Sequence, residues 1–127
     1  MIKGFENFTE ELSDEEMKLL PFFVIGLKGK KGKENAITNK AIQKAFQENQ
    51  KWNLKIPDSR VRKIINHIRV NGLVNGLCAS SNGYYVAADQ NELKEYLEGL
   101  KQRISSQMIV YDSLEFQINQ WKKFGCL

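Results

Sequence analysis

The chain of 127 residues can form one domain with a hydrophobic core and an extension, and its 42% apolar and 27% charged residues are typical of globular proteins. The longest apolar run, between Leu19 and Leu27, contains a proline and a glycine and follows three acidic residues. We therefore expect no transmembrane span or signal peptide, and a cytoplasmic location. The two cysteines, Cys78 and Cys126, lack metal-ligand spacing, so we expect no disulfide, metal or cofactor.

The net charge of +4 is distributed unevenly. Residues 28–69 contain 12 lysines and arginines and 3 acidic residues, a net charge of +9, whereas the rest of the chain carries −5. A basic middle between acidic ends is the pattern expected of a surface that neutralises nucleic-acid phosphates.

Residues 1–12 have only weak periodicity and are expected to be a flexible lead-in. Ser13 and Glu16 match a capping box and predict that a first helix begins there. We expect this helix to end near Lys28, with Pro21 either kinking it or marking a restart. Its inward side should consist of Met17, Leu20, Phe23, Val24 and Leu27.

A glycine-containing loop follows, with the lysines Lys30, Lys31 and Lys33. These lysines either contact phosphate or belong to an ordinary solvated loop. Thr38 can cap a second helix over about residues 39–49. Its buried face should consist of Ala41, Ile42, Ala45 and Phe46. In the next loop, we expect Trp52 to join the core rather than to form a platform for stacked bases.

The third predicted helix has Asp58 as its N-cap and runs to Arg69. Its buried stripe consists of Val61, Ile64, Ile65 and Ile68. The opposite side is basic, without an acidic residue, and comprises Ser59, Arg60, Arg62, Lys63, Asn66, His67 and Arg69. Solvated helices usually mix charges of both signs, so this face predicts an anionic partner. We interpret His67 as a polar or phosphate contact rather than a general base.

Two short β-prone runs, 73–79 and 84–88, flank a turn and predict a β-hairpin. We expect the hairpin to be a wing whose tip contacts the DNA backbone through Ser80, Ser81 and Asn82. Tyr84 and Tyr85 should point to opposite faces, one into the core and one towards DNA or solvent. The sequence leaves open which of the two is buried.

Asp89 and Glu92 repeat the capping pattern and predict a long terminal helix. In this helix a coiled-coil seam, apolar except for Gln107, consists of Leu93, Leu97, Leu100, Ile104, Gln107, Tyr111, Leu114, Ile118 and Trp121. We expect the seam to hold a homodimer together. The alternative is that the helix breaks near Ser105 and Ser106 and folds back on the first helix.

Four segments resemble small phage and prophage winged-helix proteins: ENAITNK at 34–40, SRVRKII at 59–65, IRVNG at 68–72 and NGYYV at 82–86. The resemblance covers roughly residues 13 to 105, and R-x-V-R together with G-Y-Y is its distinctive part. It implies a winged helix-turn-helix fold and a role as a DNA-binding regulator or replication accessory protein. The connection at 51–57 is longer than the turn of a tight helix-turn-helix.

The predicted fold is mostly α with a small β-hairpin (α+β), with a winged helix-turn-helix domain at 13–90 and a C-terminal helical extension at 91–127. We predict binding to double-stranded DNA by a phage or mobile-element transcriptional regulator or replication accessory protein, with no catalytic residues and no small-molecule substrate. The third helix would enter the major groove, and Asn39 and Lys40 would add backbone contacts.

The alternative function is a protein-interaction module whose basic face binds an acidic partner. Binding to single-stranded nucleic acid or RNA is less favoured, because the sequence lacks an array of aromatic residues on a sheet surface.

Overall fold

A computed structural model describes residues 11–125, so most of the predicted lead-in lies outside the described residues. The chain forms two compact units, Met1–Gln90 and Asn91–Leu127. The first contains α1 (Asp14–Lys28), a 3-10 turn (Lys33–Asn35), α2 (Asn39–Glu48), α3 (Asp58–Val70), β1 (Leu77–Ser80) and β2 (Gly83–Val86), and α4 (Gln90–Phe124) runs through the second. The predicted class, mostly helical with a small antiparallel hairpin, is confirmed.

Helix α1 begins at the predicted capping box and ends at Lys28 as predicted. It continues through Pro21, so the predicted restart does not occur. The predicted inward side is wrong in part, since Met17 is exposed and the buried residues are Glu16, Leu19, Phe23 and Leu27. Apolar residues surround this helix between positions 19 and 27, so periodicity alone does not identify its buried side.

Helix α2 begins after Thr38, whose hydroxyl accepts a hydrogen bond from the Ala41 amide at 3.1 Å, as predicted. Its predicted buried face is wrong in part, because Ile42 is buried and Phe46 is half-buried, whereas Ala41 and Ala45 are exposed. The short helix packs on α3 and buries Ile42, whereas Ala45 lines the open surface between α1 and α2.

Helix α3 buries the predicted stripe of Val61, Ile64, Ile65 and Ile68 in the core beneath α1 and α2. The predicted N-cap is wrong: Pro57 occupies the cap position, and Asp58 is the first helical residue. The Asp58 carboxylate binds the side chains of Asn39 and Arg62 instead, each at 2.9 Å.

The predicted β-hairpin is present, although β1 begins at Leu77 rather than at residue 73. Ser80 pairs with Gly83 at the turn. Tyr85 is buried and Tyr84 is half-buried, which settles the orientation that the sequence leaves open. Cys78 is buried in β1.

Residues 30–37 lie along the second edge of β2. Ile37 and Tyr84 exchange two backbone hydrogen bonds, at 2.9 and 2.8 Å. Further along, the Gly32 amide donates to the Val86 carbonyl at 2.8 Å, and the Val86 amide donates to the Lys30 carbonyl at 2.7 Å. The lysine-rich loop is therefore attached to the hairpin through backbone groups, which side-chain patterns do not reveal.

Helix α4 is continuous and passes through Ser105 and Ser106, so the alternative that the helix breaks there is wrong. Apart from the half-buried Leu100, its large apolar side chains between Leu97 and Phe124 are exposed by 50% to 70%. Within residues 11–125, no helix combines the length and the apolar character that crossing a membrane requires.

Candidate nucleic-acid interface

The flank of α3 that faces α1 carries Arg60 and Lys63. Lys63 Nζ donates a hydrogen bond to Glu16 Oε1 at 2.8 Å, and Arg60 Nε lies 3.4 Å from Glu16 Oε2. Arg60 Nη1 also lies 3.6 Å from the exposed carboxylate of Glu15. None of the residues of the predicted face is itself acidic, but α1 places the carboxylates of Glu15 and Glu16 beside this flank of it.

Glu16 is buried, with 3% of its surface exposed, and this burial raises the pKa of its carboxyl. Hydrogen bonds from Lys63 and Ser13 outweigh burial and hold the pKa below the ordinary value of 4.5. Glu16 is therefore ionised at neutral pH. Arg60 and Lys63, which the sequence predicts as DNA contacts pointing to solvent, instead connect α3 to α1 and are partly neutralised there.

The other flank of α3 faces the hairpin and carries Arg62, whose side chain is 70% exposed. Its guanidinium lies 2.9 Å from the Asp58 carboxylate one turn earlier. Such a surface pair contributes only about 0.3–0.5 kcal/mol, so a phosphate can replace the carboxylate. Asp58 also accepts a hydrogen bond from the Asn39 amide at 2.9 Å, which joins the start of α2 to the start of α3.

Tyr84 on β2 completes this flank. Burial raises the pKa of its hydroxyl, while the Asn39 side chain and the charges of Arg62 and Arg69 act in the opposite direction and therefore lie near the phenol. The structure thus brings an amide, a phenol and two guanidinium groups from α2, β2 and α3 onto one surface. We call this set of Asn39, Arg62, Arg69 and Tyr84 the α3–wing face.

Tyr84 is the member of this face that the sequence does not assign to DNA. Tyr84 is half-buried against the core, and its hydroxyl lies near Asn39 and Arg62. Asp58 is also unassigned by the sequence, where it is expected to cap the helix. Its actual role is to hold Asn39 and Arg62 in place.

The wing tip lies next to the residues that lead into α2. The Ser80 hydroxyl donates to the Gly83 carbonyl at 3.1 Å and accepts from the Asn82 amide at 3.2 Å, which closes the turn and leaves Ser81 exposed. Gly83 has a φ of +118°, and a Cβ atom there would overlap the Ile37 carbonyl. The tip therefore continues the α3–wing face on its hairpin side.

The remaining predicted contacts are spread over the unit. Lys40 and Ser59 are exposed in the first turns of α2 and α3. Asn66 and His67 are half-buried, and Asn71 Nδ2 lies 3.4 Å from His67 Nδ1. The lysine loop, with Lys31 and Lys33 exposed and Lys30 half-buried, lies beside the far end of β2, about 10 Å from the wing tip at 3.3 Å per residue.

A separate concave surface lies between α1 and α2. It encloses about 320 Å³ and is mainly apolar, with Lys30 and Lys51 among its lining residues. Trp52 lines it with its ring centroid 5.0 Å from that of Phe22 and 6.4 Å from that of Phe46. Trp52 also packs partly buried against the core, as predicted.

Among residues 11–125, no group of three or more histidine, cysteine, aspartate or glutamate side chains could hold a metal ion. No family model matches the chain, and comparison with curated proteins and with solved structures gives no match either.

Proposed function

We propose that this chain is a winged helix-turn-helix protein that binds double-stranded DNA. In this proposal α3 is the recognition helix, and the β1–β2 hairpin is the wing. The observation that carries it is the α3–wing face, on which donors from α2, α3 and β2, exposed at Arg62 and half-buried at the other three residues, lie close together beside the hairpin tip. Arginine, asparagine and tyrosine side chains are those that usually bind phosphates and base edges.

The contacts proposed for DNA differ in part from those read from the sequence. Arg62, Arg69, Asn66 and Ser59 remain on or near the outward side of α3, and Tyr84 joins them. Arg60 and Lys63 become positioning residues, because their bonds to Glu16 hold α3 against α1. Lys40 and the lysines of the loop would contact the phosphate backbone on either side.

We further propose that two chains act together through α4 in the cytoplasm. This proposal is supported by the exposed apolar side chains of that helix, since soluble monomers rarely leave such a surface uncovered. Two copies would present two recognition helices to paired half-sites. The resemblance to phage and prophage winged-helix proteins suggests a regulator or a replication accessory protein.

Fluorescence anisotropy with a labelled random duplex of about 30 base pairs tests DNA binding. We expect binding at low salt that weakens steeply as salt rises, because each protein–phosphate contact releases counterions. Absence of binding at low salt would contradict the proposal.

Arg62→Ala should weaken binding by about 1–3 kcal/mol if Arg62 reads a base, or reduce the salt slope by about one unit if it contacts a phosphate. Lys18→Ala removes the same charge from an exposed position on α1 and is the matched control. Equal effects of the two substitutions would show that the α3–wing face is not the binding surface.

The second candidate is a module that binds an acidic protein partner. The apolar surface between α1 and α2 favours it, because protein interfaces combine an apolar centre with a polar rim, and Lys30 and Lys51 lie at this surface. Binding to a protein ligand with no affinity for the duplex would select this candidate.

A further inference from the structure

Helix α4 has the features of a surface that pairs with a copy of itself. Residues 104–121 include only two charged residues, Asp112 and Glu115, and many exposed apolar ones. The whole helix, Gln90–Phe124, carries five basic and five acidic residues and is neutral overall. A neutral apolar helix is a poor ligand for DNA or for an acidic partner, so a second copy of the same helix is the occupant that fits.

The structure assigns a direction to this pairing: we infer that two α4 helices associate antiparallel. The inference rests on the proposed dimer and adds its geometry. In an uninterrupted helix the seam keeps its heptad register from Leu93 to Trp121, with a positions at Leu97, Ile104, Tyr111 and Ile118. The d positions are Leu93, Leu100, Gln107, Leu114 and Trp121.

Gln107, the polar residue of the seam, and Trp121, its bulkiest residue, both favour the antiparallel direction. A parallel pair would set Gln107 against Gln107 and Trp121 against Trp121, since each seam residue then meets itself. In the antiparallel register centred on residue 109, a positions meet d positions from Leu97 to Trp121, and Leu93 lies beyond the overlap. Gln107 then faces Tyr111 of the second copy, where amide and hydroxyl can bond, and Trp121 faces the smaller Leu97.

The residues that flank the seam also favour the antiparallel direction. In an antiparallel pair, Lys101 lies opposite Glu115 of the second copy, and symmetry makes this contact twice. Met108 and Val110 meet their own copies at the centre and widen the apolar contact. In a parallel pair the flanking partner of Lys101 is Tyr96 and that of Glu115 is Val110, so neither charge finds an opposite charge within α4.

Charge exchange tests the register. Lys101→Glu or Glu115→Lys alone should weaken the dimer roughly 3- to 30-fold, because two attractive contacts become repulsive. The double variant should restore the wild-type dissociation constant. These residues are about 21 Å apart along one helix, so they cannot compensate within a chain. Failure of the double variant to recover would overturn the antiparallel register.

Lys94→Glu is expected to act in opposite directions in the two arrangements. The antiparallel register sets Lys94 against Lys122 of the second copy, so the substitution should tighten the dimer about two- to tenfold. In a parallel pair Lys94 lies near Asp89 of the second copy, and the same substitution would weaken it. A weakened dimer would contradict the inference.

Distances between spin labels decide the direction independently. In a full chain carrying Cys126→Ser, a label at Glu95→Cys should lie about 42 Å along the axis from its counterpart, given 28 residues of offset at 1.5 Å each. In a parallel pair this distance would be only about the width of two helices, roughly 20 Å. The buried Cys78 is retained.

Ile109→Cys is the matched control, because residue 109 is at the centre of the antiparallel register and gives a short distance in either arrangement. Short distances at both sites would mean that the dimer is parallel. The antiparallel inference would then be wrong, whereas the proposed dimer would be retained. A monomer in sedimentation, with no dipolar coupling at either site, would reject the dimer itself. A tetramer would reject the two-chain arrangement.

Discussion

Glu16 is the one charged residue that is buried within the described part of the chain. Its carboxylate accepts hydrogen bonds from Ser13 and Lys63 and lies beside Arg60. A buried carboxylate without partners would be strongly destabilising, and here two cations and a helix N-terminus stabilise it. One residue thereby caps α1 and fixes the position of α3.

Glu16→Gln should destabilise the unit by about 1–3 kcal/mol at neutral pH, because Lys63 and Arg60 lose their buried counter-charge. The lowered pKa sets the pH dependence: the stability from ionised Glu16 is present above the ordinary value of 4.5 and is lost as the pH falls below it. Urea unfolding at neutral pH and at about pH 3.5 should therefore show a difference between wild type and variant that shrinks on acidification.

Glu15→Gln is the control for this prediction, since Glu15 is an exposed acid that faces the same Arg60. It should change the stability by less than about 0.5 kcal/mol at either pH. If Glu16→Gln behaved in the same way, the bonds from Lys63 and Ser13 would not contribute measurably to folding.

The two-stranded hairpin is also held by backbone hydrogen bonds from a third segment of the chain. Residues 30–37 cover the second edge of β2, and the hydrogen bonds of Ile37 to Tyr84 lie beside the tip of the wing. This arrangement couples the wing to the start of α2, because Thr38 follows directly and caps that helix. The wing and α2 should therefore move as one body.

Gly83→Ala should disrupt this connection. Its φ of +118° is accessible almost only to glycine, and the added Cβ would overlap the Ile37 carbonyl, so we expect a loss of roughly 3 kcal/mol. Gly72→Ala is the control, with a φ of +63° and no atom within 4 Å of the added Cβ, and it should lose only about 1 kcal/mol. Thermal unfolding of both variants measures the difference, and equal losses would show that the contact with Ile37 is unimportant.

Helix α4 differs from the first unit in how its apolar residues are used. In the first unit they form a core, whereas in α4 they are largely exposed over 35 residues, a length of about 52 Å at 1.5 Å per residue. Such a surface is the expected site of self-association.

Shortening the chain to end at Arg103 should convert a dimer into a monomer, because it removes the seam from Ile104 onwards. Light scattering at tens of micromolar protein tests this expectation. In the full chain, Leu114→Asp should also give monomers, since it places a charge in the seam, whereas Ser113→Asp should not. A wild-type chain that is monomeric under these conditions would refute the proposed dimer.

Features that depend on near neighbours in the chain follow from the amino-acid sequence without the fold. The capping box at Ser13, the cap at Thr38, the stripe of Val61, Ile64, Ile65 and Ile68, and the hairpin turn each follow from local hydrogen bonding or helical spacing. The long last helix follows from the same periodicity. Because these patterns are local, they can be recognised in the sequence without knowledge of the fold.

Which cations of α3 are neutralised by acidic residues depends on the packing of α1 against α3. The basic side of α3 looks uniform in sequence, but Glu16 lies 47 positions before Lys63 and reaches it only when α1 packs on α3. Likewise, Tyr84 joins Asn39 and Arg62 because backbone bonds hold residues 30–37 to β2. Contacts between distant segments depend on how the apolar faces pack, and no local pattern encodes that packing.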